Sequence, residues 1–144
     1  MAKLLALLLL VGCASPRYES AKPIYAIDDT FTRESIDQYL ITKTAHLEHE
    51  VLYVLFYKDG VFQGEYIKQG AFGKVEYSNY EILDNCNKYQ CNGLILAHNH
   101  PSRYFAAPSS VDVKTALINK AFFEMSKIVI IANIVITQQD SRWY

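Results

Sequence analysis

The stretch "LILAHNHPSRYFAAPSSVD", Leu94 to Asp112, begins as an uninterrupted apolar run, ends that run on two histidines one residue apart, and closes on Ser109 and Asp112. A short continuous apolar run is the pattern of a strand buried on both faces. Side chains alternate along a strand, so His98 and His100 point to one side wherever extended geometry persists, and Pro101 restricts His100 to an extended backbone. Beyond the loop, Pro108 and Ser109 mark the mouth of a helix, with Asp112 in its first turn. Two imidazoles and a carboxylate can then meet at one point. Such a set leaves one tetrahedral position for water, as in catalytic rather than structural zinc sites. Taken singly, the same residues fit plainer roles: loop histidines bonded to backbone, and a serine cap with its reciprocal carboxylate. Their joint spacing within so short a stretch is the specific feature.

Reading outward, "SNYE", Ser78 to Glu81, is a capping-box pattern, and Ile82, Leu83, Cys86 and Tyr89 continue at helical spacing until Asn92 and Gly93 are expected to close the helix. Upstream, "EVLYVLFY" and "VFQGEYIK" read as two strands joined by the "KDG" turn, a hairpin. "IDDTFTRESIDQYL" contains a short helix, started at Thr32 with Ser35 beyond it and marked by Ile36, Tyr39 and Leu40 on one face. "PSSVDVKTALINKAFFEM" starts the last helix, and "KIVIIANIVIT" supplies one or two final strands. This order of elements predicts an α/β fold, a mixed β-sheet flanked by helices.

The 144 residues suit one domain, and 51% hydrophobic with 20% charged is an ordinary globular balance. A net charge of −1 with scattered basic residues lacks the electrostatic footprint that phosphate binding needs, so no nucleic-acid partner is expected. The eleven tyrosines spread without a repeat and read as half-buried packing.

The first residues stand apart from this pattern. "MAKLLALLLLVGCAS" has Lys3, an apolar run from Leu4 to Val11, then Gly12 and Cys13, a signal-peptide layout too short to span a bilayer as a helix. "LVGC" resembles the bacterial lipobox, which implies cleavage after residue 12 and lipidation of Cys13 as an anchor in the cell envelope. Ala14, in place of Asp, implies outer-membrane sorting in a Gram-negative source. Residues 13–29 are polar, contain two prolines and have no period, which suits a tether leading to a domain over 30–144. The remaining cysteines, Cys86 and Cys91, fit either a disulfide at the helix end, allowed in an exported protein, or two small buried hydrophobes.

"AHNHPS", "PSSVD" and "NIVIT" resemble the RadC branch of the JAB/MPN metalloprotease superfamily, whose JAMM motif runs Glu far upstream, then H-x-H, Ser and Asp. "EVLYVLF" resembles that family's first strand, and "QGAFGKVEYSNYEI" the region before its helix, so the likeness extends from about Glu48 to Tyr144. It implies a JAB/MPN-like, cytidine-deaminase-like fold with Zn2+ held by His98, His100 and Asp112. It further implies Glu50 as general base toward the attacking water, and Ser109 as stabiliser of the oxyanion. The residue pattern alone leaves Glu48 as a rival to Glu50.

Eight residues, Pro101 to Pro108, separate His100 from Ser109 where the family has seven, and Arg103 replaces the usual glycine. Arg103 is a candidate contact for a substrate carboxylate or a solvated loop residue. Ala132 and Asn133 stand where many RadC sequences carry Asp-His, outside the JAMM set; His46 and His49 read as surface residues. The expected activity is a membrane-anchored zinc metallopeptidase or isopeptidase-like hydrolase acting on a peptide or protein in the envelope. The alternative is a non-catalytic JAB/MPN protein-binding module. A zinc deaminase is excluded, because H-x-E and P-C-x-x-C are absent.

Overall fold

A computed structural model describes residues 32–59, 61–101 and 105–144. The expected signal segment, Cys13, the tether and Arg103 lie outside them. The elements run α1 (Arg33–Thr44), β1 (Val51–Lys58), β2 (Val61–Gln69), α2 (Asn79–Lys88), β3 (Gly93–Asn99), α3 (Ser110–Met125), β4 (Val129–Ile136) and β5 (Ser141–Trp143). The strands form one sheet in the order β2-β1-β3-β4-β5, in which only β3 and β4 are parallel. "KIVIIANIVIT" is thus a single strand, β4, and the last strand comes from the residues after it.

The central strands alternate in both directions because each face has its own cover. Val51, Tyr53, Leu55, Ile95, Ala97 and Ile134 pack with Ile36 and Leu40 of α1. Leu52, Val54, Phe56, Leu94 and Leu96 pack with Ile82 and Cys86 of α2 and Phe123 of α3. The result is three layers, α1 on one side and α2 with α3 on the other, around a mixed sheet. The parallel pair β3 and β4 needs a crossover, and α3 supplies it. That crossover brings the N-terminus of α3 to the carboxyl end of β3, where the histidines are.

Two local expectations change. Ser78 does cap α2, accepting from the Tyr80 amide at 3.2 Å, but Glu81 does not reach back to complete the box. Its carboxylate accepts from the Tyr66 hydroxyl at 2.8 Å and pairs with Lys68 at 3.6 Å, so contact with β2 outcompetes the local cap. The helix also ends at Lys88, earlier than Asn92 and Gly93. Gln90 takes φ 53°, the Cys91 amide returns to the Cys86 carbonyl at 2.8 Å, and the Asn92 amide already bonds Tyr57 of β1. Gly93 instead opens β3, where a Cβ would lie 2.9 Å from Ile131 Cδ1 and 3.1 Å from a Tyr57 ring carbon. A disulfide joins Cys86 to Cys91 and closes this turn.

Phe123 is the fully buried contact by which α3 grips the sheet, whereas Leu117 on the same helix is 64% exposed. Phe123→Ala should therefore cost about 3–5 kcal/mol and Leu117→Ala no more than about 0.5 kcal/mol, as read from urea unfolding midpoints. Equal losses would mean that α3 is held by its other face.

Candidate metal centre

His98 is the penultimate residue of β3 and His100 follows its last one. They continue the side-chain file of Leu94 and Leu96, which faces α2 and α3. His100 stays extended because its amide bonds the Ile136 carbonyl of β4 at 2.7 Å. Both side chains therefore arrive beneath the first turn of α3. The two Nε2 atoms are 3.1 Å apart, with His100 buried and His98 half-buried.

Asp112 comes to the same point from α3. Ser109 is the helix N-cap; its hydroxyl oxygen accepts from the Asp112 amide at 3.1 Å, and Asp112 Oδ2 accepts from the Ser109 amide at 2.6 Å. This reciprocal box is the plainer role foreseen for the pair, and it does not exclude the other. Held by the cap, Asp112 puts Oδ1 at 3.3 Å from His98 Nε2 and Oδ2 at 3.5 Å from His100 Nε2. Burial by itself would raise the Asp112 carboxyl. The His98 hydrogen bond and the Ser109 amide and hydroxyl outweigh it and hold the group well below the usual carboxylate range.

The two imidazole nitrogens are 3.1 Å apart, each faces a different oxygen of Asp112, and one ligand atom from each of the three residues lies within 4.8 Å of the others. In a tetrahedral site with bonds of about 2.0–2.1 Å, neighbouring ligand atoms lie roughly 3.3–3.4 Å apart. Two imidazoles and an ionised carboxylate gathered near that spacing are a donor set that could hold a zinc-sized ion, with one position left over. No other group of three or more such donors occurs among the described residues. His46 and His49 stay outside it, and His49 instead bonds Gln69.

The cluster opens on a cavity of about 380 Å³ that Glu50, Ser109, Tyr77, Asn119 and Tyr144 also line. Glu48 is exposed and does not line it, so the fold separates two glutamates that the local sequence could not. Asn133, in the place of the family's histidine, lines the same cavity, and its backbone pairs with Tyr144 in both directions. Burial pushes the Tyr144 phenol up, and the charge of Asp112 pushes it further. Tyr77 is raised by burial and by Asp112 against the opposing hydrogen bond from Asn119. Both phenols stay protonated beside the carboxylate. Nothing in the residue pattern singled out Tyr77, Asn119 or Tyr144; aromatic and amide residues at those positions look like packing until the fold joins α2, α3 and β5. The disulfide lies at the other end of β3, roughly 20 Å away, and belongs to the framework.

A three-layer α/β domain with two histidines and an aspartate at the carboxyl end of a central strand has the architecture and donor set of the JAB/MPN class. Residues 31–144 match the RadC-like JAB domain, and the chain belongs to that family. No curated protein matches the chain.

Because no fourth protein donor stands in the cluster among the described residues, His100→Ala should leave well under one metal per chain after dialysis, as measured by elemental analysis. A variant that keeps one equivalent would place the metal elsewhere.

Proposed function

We propose that the domain is a zinc-dependent metallopeptidase or isopeptidase-like hydrolase. The observation that supports this most directly is the cluster of His98, His100 and Asp112 opening on the cavity that Glu50 lines. Zinc held there would polarise the scissile carbonyl and lower the pKa of its water to about 7. Glu50 would accept a proton from the attacking water and return it to the leaving amine, so the carboxylate ends the cycle as it began. Asp112 remains ionised throughout, and its second oxygen stays with the helix cap. The Ser109 hydroxyl oxygen accepts from the Asp112 amide, and its proton, which favours the ionised Asp112 carboxylate, would turn to a developing oxyanion. Tyr77 and Tyr144, protonated at neutral pH, supply further neutral donors along the cavity wall. Substrates are peptides or proteins of the bacterial envelope, with the domain held at the membrane through a lipid on Cys13. Support for that placement is the "LVGC" sequence alone.

A second reading, a binding module that retains the fold without catalysis, is favoured by the extra residue between His100 and Ser109 and by Arg103 in place of the usual glycine. It is distinguished by Glu50→Gln. The amide keeps the shape but cannot take a proton, so this variant should keep its zinc and lose roughly 10²–10⁴-fold in turnover on a peptide library. Equal cleavage by both forms would refute the general-base role. A zinc-loaded wild type that cleaves nothing in a broad peptide and isopeptide set, yet captures an envelope protein with or without Glu50, would establish the binding module instead.

The anchoring reading has its own test. Mass spectrometry of the mature N-terminus should find a lipidated Cys13, and Cys13→Ser should abolish processing and membrane association. A Cys13→Ser protein processed at the same place and still membrane-bound would end that reading.

A further inference from the structure

The antiparallel ladder between β1 and β3 stops at Leu52 and His98. One step further β3 is still paired with β4, its His100 amide on the Ile136 carbonyl, but no longer with β1. On the β1 side this leaves the His49 carbonyl and the Val51 amide facing the end of β3 with no strand partner there. Asn99 supplies one from its side chain. Its Oδ1 accepts from the Val51 amide at 2.6 Å, and its Nδ2 donates to the His49 carbonyl at 3.1 Å. The amide orientation is fixed by its partners, since a backbone N–H only donates and a carbonyl only accepts.

These two bonds bracket Glu50. Its own backbone is held from the opposite side, the amide on the Ala71 carbonyl at 3.2 Å and the carbonyl on the Gly70 amide at 2.8 Å. Asn99 is 2% exposed and stands between the two histidines, pointing to the face of the strand opposite them. We infer that Asn99 is a positioning residue that ties Glu50 to the metal ligands, so that one residue of β3 sets the place of the general base relative to both imidazoles. The inference rests on the hydrolase reading above and adds a residue to it. Asparagine suits this place: aspartate lacks the donor for His49, serine is too short to span both groups, and leucine has the size without the polarity. Misplacement of a reacting group by about 1 Å costs on the order of 10²-fold in rate, which is why the clamp matters to chemistry as well as to folding.

Cobalt(II) in place of zinc provides a readout that needs no substrate. Wild type, Glu50→Gln, Asn99→Leu and the double variant are loaded with cobalt; metal content and the visible absorption band at neutral pH are recorded. The expected result is one cobalt per chain in all four. The band of Asn99→Leu should shift as that of Glu50→Gln does, with no further shift in the double variant. Should Asn99→Leu fail to fold by circular dichroism, Asn99→Ser replaces it in the same comparison. A wild-type band in the folded Asn99 variant, beside a shifted one in Glu50→Gln, overturns the clamp while leaving the general base intact. Loss of cobalt from a folded Asn99 variant overturns it too, since Asn99 would then order the ligands themselves. An unshifted Glu50→Gln band removes the base and the clamp together, and a wild type that takes up no cobalt removes the metal centre on which both rest.

Discussion

Parallel pairing of β3 with β4 obliges the chain to leave the sheet at the carboxyl end of β3 and return through a helix on one face. The carboxyl end of a strand and the N-terminus of the following helix therefore meet, the place where open α/β sheets bind ligands. Every group in the centre follows from this crossing. His98 and His100 continue the side-chain file of β3 toward the helix layer, and Asp112 descends from the first turn of α3. Had β4 run antiparallel after a short hairpin, no helix terminus would lie over the histidines.

The carboxylate of Asp112 links local and tertiary structure. One oxygen completes the cap of α3 while both approach the imidazoles, so the helix start and the candidate metal centre share a side chain. A carboxylate at a helix N-terminus is favoured by the exposed amides and the helix dipole, and here that environment helps to keep the group ionised where a cation would need it. The surrounding phenols of Tyr77 and Tyr144 respond in the opposite sense and stay neutral. Burial raises both phenols first, and the charge of Asp112 adds to it.

Glu50 reaches the cavity from a different part of the chain, and its backbone is gripped from two directions: by residues 70–71 beyond β2 and by Asn99 at the end of β3. The clamp fills the gap in hydrogen bonding left where the β1–β3 ladder ends while β3 stays paired with β4. A tertiary constraint on one strand is thereby passed to a catalytic candidate on its neighbour.

The sequence by itself determined the elements and half of the centre. The apolar run ending on H-x-H, the Thr32, Ser78 and Ser109 caps and the turn of the hairpin act over a few residues, so they are legible without neighbours. His98, His100, Ser109 and Asp112 are close in sequence for the same reason. Decisions that depend on distant partners were not legible. Glu81 abandoned its capping box because Tyr66 and Lys68 of β2 offered a better site, and α2 ended early because Asn92 was already bonded to β1. Glu50 could be chosen over Glu48 only by resemblance to a family until the sheet placed one at the cavity and the other in solvent. Asn99 looked like a spacer between two ligands, since its partners lie 48 and 50 residues away and only strand pairing brings them within reach.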